Sequence, residues 1–425
     1  MNTPVGASVV IVGGGATGLS AGWWLAREGV DVVVLDKGIV GWEASGRNGG
    51  GCSHHFSPLF CEEQRLWPQM DALLGYPTEF QPNRIRIAFD PAQLALYGEA
   101  MRNAERQGFA TDLLGPRELR ELVPLAGDDA VGGYFYRFGG HANPHRTVQA
   151  YAWAMQDHGG RVLQHTEVAG FERTGNRVTA VRTGRGTIGC DHLVLAAGPQ
   201  TGRLARLLDV DVPMVAARAE MIVTEPLPLM PIGGVDGNGL YGRQTLRGNL
   251  AYGGGPHEWL DALATQRPST PLMGNIAGRL ARLFPTAAHA RVIRSWAGII
   301  ENTPDGRPVI DRLASPENVV VATLSSIGFG LSPASGHAIR DLVVDRACGF
   351  ADLSSFRLDR FAGLETDWID IQGWRVSSAS RNEVPRQERG AAHGEKAEQA
   401  GGPSLSATEQ GRRMAPVSRP DLGKS

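Results

Sequence analysis

Ser8-Val9-Val10-Ile11-Val12-Gly13-Gly14-Gly15-Ala16-Thr17-Gly18 is a β-branched run that breaks into a glycine-rich turn, and the segments after it decide the architecture. Leu19–Arg27 is an apolar helical stretch stopped by Gly29, and Val30–Leu35 is a second buried-strand run ending at Asp36. Strand, glycine turn, helix and strand make one parallel βαβ opening. Such a turn offers backbone N–H groups and the positive end of a helix to a pyrophosphate. In this pattern Gly13 permits the tight turn, Gly15 lets the backbone approach phosphate, and Gly18 packs helix on strand, with Ala16 and Thr17 between them. Asp36 lies 18 residues after Gly18, where a carboxylate accepts hydrogen bonds from a ribose. The stretch predicts a dinucleotide site rather than a structural glycine turn, without choosing between FAD and NAD. Lys37 is expected to point to solvent or to the pyrophosphate.

The rest of the chain fits a mixed α/β protein with more than one domain. Asp90-Pro91 and Asn143-Pro144 each read as an N-cap followed by a first-turn proline, and both open helices with apolar residues at spacings of three and four. Arg161–Leu195 reads as short strands with Gly175-Asn176 as a hairpin turn. Strands are expected at Met214–Thr224, Leu250–Tyr252 and Val319–Ala322, and helices near Leu272–Leu283 and Gly336–Asp345. The chain has 425 residues, with 42 Lys+Arg against 44 Asp+Glu. That balance argues against a nucleic-acid binder. Cys52, Cys61, Cys190 and Cys348 are widely spaced, which excludes a disulfide scaffold and a cysteine zinc site and suits a reducing compartment. No apolar run approaches the ~20 residues of a membrane span, and the amino terminus does not read as a secretory signal. From Ser377 to Ser425 no aromatic residue occurs, so that segment is expected to be a disordered tail.

Further segments select the cofactor. Ala44-Ser45-Gly46-Arg47-Asn48-Gly49-Gly50-Gly51 offers an arginine for phosphate, Ser and Asn for hydroxyls, and bare backbone. Leu193-Val194-Leu195-Ala196-Ala197-Gly198 is a strand ending in small residues. Trp296-Ala297-Gly298 leads to Thr303-Pro304-Asp305-Gly306-Arg307-Pro308, and Gly328-Phe329-Gly330-Leu331-Ser332-Pro333 precedes the expected last helix. In this order the motifs resemble those of the D-amino-acid-oxidase-like FAD-dependent oxidoreductases, over about residues 8–365. Leu66-Trp67-Pro68 through Leu74-Gly75-Tyr76 and the Trp-Ala-Gly…Thr-Pro-Asp pair look most like the β-type subunits of hydrogen cyanide synthase, opine oxidase and the proline or sarcosine dehydrogenase complexes.

The resemblance implies a Rossmann-like FAD domain with a parallel sheet, built from 1–75, 141–212 and 293–370. A smaller substrate domain with a mixed, mostly antiparallel sheet would come from 76–140 and 213–292, leaving 371–425 as tail. It implies non-covalent FAD, with Asp36 on the ribose, Ser45 to Gly50 along the pyrophosphate and flavin, and Val168 at the adenine. Ala197, Gly198 and Gly298 would pass close to the cofactor, and Gly328 to Ser332 would lie by the flavin pyrimidine. The implied chemistry is hydride transfer from a C–H beside an amine nitrogen to the flavin, followed by imine hydrolysis.

Substrate residues are less sharply marked. Arg243 is a candidate carboxylate clamp, set against a plain surface arginine; Tyr241 and Tyr252 are pocket candidates, set against core packing. Glycine-oxidase-like relatives carry an arginine after Trp-Ala-Gly where this chain has Ile299-Ile300-Glu301-Asn302, so Glu301 is a candidate for a cationic group or else points away. His54 and His55 are candidates over the flavin or ordinary loop histidines, and no metal site is expected. The expected partners are an amine or amino-acid substrate, oxygen or a dye-type acceptor, and companion subunits, in a cytoplasmic setting or at the inner membrane face. Two alternatives stand: a flavin-carrying subunit inactive without its partners, and an NAD(P)-dependent dehydrogenase.

Overall fold

The structure, a computed structural model, describes residues 6–255, 257–260, 268–365 and 367–371. The tail expected from residue 371 onward lies, from 372, outside the described residues. The first half runs β1 (Gly6–Val12), α1 (Ala16–Arg27), β2 (Val32–Leu35), α2 (Ala44–Arg47), α3 (Phe60–Leu66), α4 (Met70–Leu74), β3 (Gln81–Ala88), α5 (Pro91–Arg106), β4 (Thr111–Leu114), α6 (Pro116–Leu122), β5 (Gly132–His141), α7 (Pro144–Asp157), β6 (Arg161–Leu163), β7 (Val168–Thr174), β8 (Arg177–Thr183) and β9 (Gly186–Leu195). The second half runs α8 (Thr201–Arg206), β10 (Val215–Pro226), β11 (Val235–Gly237), β12 (Leu240–Gln244), β13 (Asn249–Gly254), β14 (Glu258–Leu260), α9 (Thr270–Leu283), β15 (Val292–Asn302), β16 (Val309–Arg312), β17 (Val319–Thr323) and α10 (Gly328–Val344).

Two sheets organise these elements. The first has the order β16-β17-β9-β1-β2-β6, parallel except at the β16 edge, with the β7–β8 hairpin joined through β8 to β9. Its central strand β1 has apolar residues on both faces, as a strand covered twice requires. Val9 and Ile11 face the core shared with α1, α7 and α10, whereas Val10 and Val12 face the core shared with β9 and α8. The second sheet has the order β14-β10-β13-β12-β11-β3-β5-β4, with β15 along β10; it is antiparallel except for the β11–β3 pair. Period-two alternation splits β3 between two environments. Ile85 and Ile87 enter the third core under α6 and α9, and Arg84 and Arg86 emerge on the opposite face.

The caps behave as their chemistry requires. Asp90 accepts from the Gln93 N–H, Asn143 from the Arg146 N–H, and each is followed by proline. Two details differ from the sequence expectation. The last helix starts at Gly328, not near Gly336, and carries Pro333 inside it. The missing N–H falls in the second turn, and the Pro333 carbonyl gains a donor from Trp24 Nε1 at 3.0 Å. In addition, β15 pairs with β10 over ten positions, so residues 293–302 lie in the second sheet rather than with the first. Strand pairing at such sequence separation has no local signal.

Candidate active site

The turn after β1 builds the first cavity. Gly13 has φ +119°, and a Cβ there would lie 2.2 Å from the Ala196 carbonyl oxygen at the end of β9. A Cβ on Gly18 would lie 2.0 Å from the Gly13 carbonyl, so helix and turn touch directly. Gly15 is the N-cap of α1, supplies no side-chain cap, and no acidic residue sits in the first turn. The positive end of a 12-residue helix therefore opens on the cavity, and among the described residues only the Ala16 N–H is met there by a side chain, Ser45 Oγ at 2.9 Å. Asp36 ties the turn shut: its two oxygens accept from Gly14 N at 2.8 Å and Gly38 N at 2.7 Å.

This cavity has a volume of about 1370 Å³ counting its open mouth. Gly13, Gly15, Thr17, Asp36, Ser45 and Asn48 line one side. Val168, Ala197, Gly198, Gly328 and Phe329 line the other. Lys37 stands at the rim, 3.7 Å from Glu43, with both side chains about half exposed. Several sequence candidates lie elsewhere. Arg47 turns away: its guanidinium stacks on Trp42, 4.8 Å from the ring centre, and donates to the carbonyls of Ala297 and Trp42. Gly298 faces that same arginine, where its bare Cα lets α2 approach β15. Gly46 packs under the His145 ring. Ala16, Gly18, Leu331 and Ser332 are buried behind the lining, Ser332 near the Tyr151 hydroxyl.

A second cavity of about 770 Å³ continues from the first, and Asn48, Ser326 and Phe329 line both. One wall is Gly49 to His55, another is the exposed face of the second sheet, and the third is the start of α10 with Gly330. Asn48 folds this wall, donating to the Ala44 and Ser45 carbonyls and accepting from Gly50 N. Ser326 is held with φ 73° beside Ser325 with φ 47°, its hydroxyl bonded to Asn302 and the Glu301 carbonyl. Two adjacent left-handed non-glycine residues mark the join between the cavities as strained.

The second cavity gathers chemistry that the sequence reading did not single out. Arg84 and Arg86 both line it, with Asp236 from β11. Arg84 is buried and pairs with the Asp236 carboxylate, Nε to Oδ2 at 3.2 Å, while its Nη1 donates to the Gly140 carbonyl. Arg86 lies with its guanidinium over the Tyr97 ring at 4.8 Å. The signal was the alternation Arg84-Ile85-Arg86-Ile87, which puts both arginines on one strand face. Tyr241 lines this cavity with its ring against Gly49. His54 also lines it; its Nδ1 lies 2.7 Å from Glu63 Oε1, and its backbone N–H donates to Glu63 Oε2 at 3.0 Å.

His55 is 6% exposed, packed by Phe56, Phe60 and Phe138, and neither ring nitrogen has a partner among the described residues. Burial first, then the charge of Arg86 and the neighbouring His54, push its pKa down to about 4. A histidine with a folded pKa below its unfolded value destabilises the fold as pH falls from about 6.5 to 4. The shift from 6.5 to about 4 corresponds to ~3 kcal/mol. His55→Phe should therefore flatten the loss of thermal stability across that window, and an unchanged acid limb in a melting series would remove His55 as its cause.

Three substrate candidates lie outside the lining of the second cavity. Arg243 does not line the second cavity; it is buried beneath the glycine stretch and donates to the Gly49 carbonyl at 2.8 Å. Its burial holds it below the usual guanidinium range, at about 10. Tyr252 is wholly inside the third core, its hydroxyl donating to the Val235 carbonyl. Glu301 faces the first cavity, not the second, and accepts from Thr323 Oγ1 at 3.1 Å and Leu324 N at 3.2 Å. Burial pushes its carboxyl up, against those hydrogen bonds. A raised carboxyl costs stability progressively as pH rises above about 4.5 through its folded value. Glu301→Gln keeps the acceptor oxygen, so the melting-temperature difference from the parent should grow in favour of the variant from pH 4.5 to 8. A constant difference would show that the carboxyl ionises as freely when folded as unfolded.

Comparison with known proteins gives four further findings. The family model DAO, described as FAD dependent oxidoreductase, matches residues 8–342. The beta chain of sarcosine oxidase from Rhizobium meliloti is 30% identical over 371 residues, covering 83% of this chain and 88% of that protein. A component chain of opine oxidase, also from Rhizobium meliloti, is 28% identical over 352 residues, covering 78% and 91%. Among solved structures, L-proline dehydrogenase from P. horikoshii shares the fold with a TM-score of 0.78 at 22% identity, covering 84% of this chain and 98% of that one. The first cavity fits a dinucleotide on its own evidence. Its floor is a turn that a Cβ at Gly13 would close, and an uncapped helix terminus opens on it.

Proposed function

The chain belongs to the DAO family of FAD-dependent oxidoreductases, and from that premise we propose that it oxidises the C–N bond of an amino acid or a related secondary amine held in the second cavity. The family match sets aside the nicotinamide alternative. FAD, when bound, supplies the hydride acceptor, and the imine released hydrolyses in water.

The protein's part is binding and orientation. Gly13, Gly15 and the first turn of α1 would hold the pyrophosphate, Asp36 the ribose, Val168 the adenine edge, and Ser45, Asn48 and Gly328 the stretch toward the join. Glu301 lines that stretch and would accept from a cofactor hydroxyl. In the second cavity Arg86, which lines the wall with its guanidinium over the Tyr97 ring, would anchor a substrate carboxylate. The α10 amino terminus lies at the join, and its dipole favours negative charge there. Tyr241 lines the cavity at its exposed side, with its ring against Gly49.

The observation that carries this reading is that the two cavities adjoin, sharing Asn48, Ser326 and Phe329 as walls, with two arginines and a histidine–carboxylate pair lining the second. The experiment is anaerobic mixing of the purified yellow protein with sarcosine, glycine, proline, other D- and L-amino acids and opines. Bleaching of the flavin by one class supports the reading and names that class.

A second reading is that the chain works as one component of a larger enzyme, because the relatives include component chains of sarcosine oxidase and opine oxidase. Bleaching by the isolated chain, followed by turnover with oxygen or a dye, would show that no companion is required for either half of the reaction. We place the chain in the cytoplasm, a setting supported by four cysteines of which none is paired. No helix among the described residues is long and apolar enough to cross a membrane.

A further inference from the structure

We propose that His54, oriented by Glu63, is the base that takes the proton from the substrate's ammonium group, so that the amine reaches the join neutral; this rests on the amine-oxidation reading above. An amine can lose a hydride from its α-carbon only when its nitrogen lone pair is free to form the C=N bond. Free amino acids arrive as ammonium ions near neutral pH, so something must accept that proton.

The second cavity offers one built device for it. Glu63 has no exposure and comes from α3, behind the wall. One of its oxygens lies 2.7 Å from His54 Nδ1, and the other accepts the His54 backbone N–H at 3.0 Å. Holding ring and backbone of the same residue fixes the ring's place as well as its tautomer. With the proton on Nδ1 and directed to the carboxylate, the Nε2 lone pair is left for the cavity. The ring also lies against the first turn of α10: a Cβ on Gly330 would stand 2.2 Å from His54 Cε1. Trp67 Nε1 fixes that turn by donating to the Gly330 carbonyl at 2.7 Å.

The step balances without another reagent. The ammonium N–H bond breaks, its electron pair stays on the amine nitrogen, and the proton forms a bond to His54 Nε2. Uptake turns a charge–dipole contact with the buried Glu63 carboxylate into an ion pair, which favours the transfer. Glu63 from α3 contacts His54 directly, and the other titratable or charged groups lining the same cavity are Arg84 and Arg86 from β3, Tyr136 from β5, Asp236 from β11, Tyr241 from β12, and Cys52 and His55 of its own segment. The arginines oppose a further positive charge and the carboxylates favour it: Asp236 is paired with Arg84, and Glu63 acts on His54 at contact distance. His55 stays neutral and is not a rival base, since it is uncharged down to about pH 4.

The test uses the full-length FAD-loaded protein and, as probes, sarcosine, glycine and proline in anaerobic stopped flow from pH 6 to 10. In His54→Asn the limiting rate of flavin reduction at pH 7 should fall by about 10²- to 10³-fold, the usual worth of a positioned base. It should recover toward the parental rate near pH 10, where the amine loses its proton unaided. Glu63→Gln should give a smaller fall with a displaced profile, and Glu63→Asp should restore part of it, as expected of a positioning residue. Parallel pH profiles for the parent and His54→Asn, or a loss that high pH does not restore, would overturn the proposal while leaving amine oxidation standing. If no probe bleaches the parental flavin, the amine reading itself fails and takes the proposal with it. Nitrogen-15 spectra of the histidine rings give an independent reading without substrate: the proposal requires His54 protonated on Nδ1 and bare on Nε2, and the opposite tautomer would overturn it.

Discussion

Gly15→Val should leave the purified chain folded and colourless. Gly15 has φ −84°, ordinary for any residue, so the change carries no backbone strain. The obstacle is space in front of the helix. A Cβ at Gly15 would lie 2.9 Å from Ser45 Oγ, the free end of a side chain that can turn aside, and the added methyl groups then stand in the lining of the first cavity. They would cover the amides that face a pyrophosphate. Losing two hydrogen bonds to a charged group removes about 3–6 kcal/mol. That is a fall of roughly 10²- to 10⁴-fold in FAD affinity. Fluorescence titration of the apoprotein measures it, and calorimetry of the apoprotein should show little change in melting temperature. Gly13→Ala is the contrasting case. There the φ is +119° and the neighbour at 2.2 Å is the Ala196 backbone, so nothing can give, and the variant should fail to fold. Full flavin retention in Gly15→Val would remove the phosphate from this turn.

Arg86→Gln should cut flavin reduction by amino acids about 30- to 1000-fold in kred/Kd, the equivalent of 2–4 kcal/mol for a lost charged partner in a closed site. The same variant should change the reaction of amines without a carboxylate far less. Arg86 shares the cavity face of β3 with Arg84 and lies over the Tyr97 ring, where its guanidinium can reach a carboxylate in the second cavity. Arg86→Lys should recover only part of the loss, because lysine lacks the planar two-donor fork. Arg243→Ala makes the comparison sharp. It removes the donor to the Gly49 carbonyl beneath the glycine wall, so it should weaken flavin retention and slow every amine alike. Selective loss in Arg243→Ala with none in Arg86→Gln would exchange their roles.

The elements read best from sequence are those whose cause is local. The glycine turn, the capped helices at Asp90 and Asn143, and the hairpin at Gly175-Asn176 each carry their reason within a few residues. What could not be read depends on pairing across the chain. Arg243 and Arg84 look alike in sequence, one near the centre of a short strand and the other in a basic–apolar alternation. Only the order β12-β11-β3 puts Arg84 on the cavity face beside Asp236 and leaves Arg243 beneath Gly49. Glu301 follows the Trp-Ala-Gly motif, a position that in sequence fits either a cationic substrate group or a side chain pointing away. The ten-position pairing of β15 with β10 delivers it to the first cavity instead. Arg47 looked like a phosphate ligand by composition, yet Trp42 and the Ala297 carbonyl claim it. Pro333 looked like a helix boundary and sits within α10, where tertiary contacts with α1 outweigh the missing hydrogen bond.

The most direct measurement is anaerobic titration of the isolated, purified chain with the amine panel, following the visible absorbance of its bound flavin. The expected result is a yellow protein whose flavin bleaches with one class of amine or amino acid and recovers on admission of oxygen or a dye. A flavin that stays oxidised with every amine, in a chain that is folded and fully loaded, would contradict it.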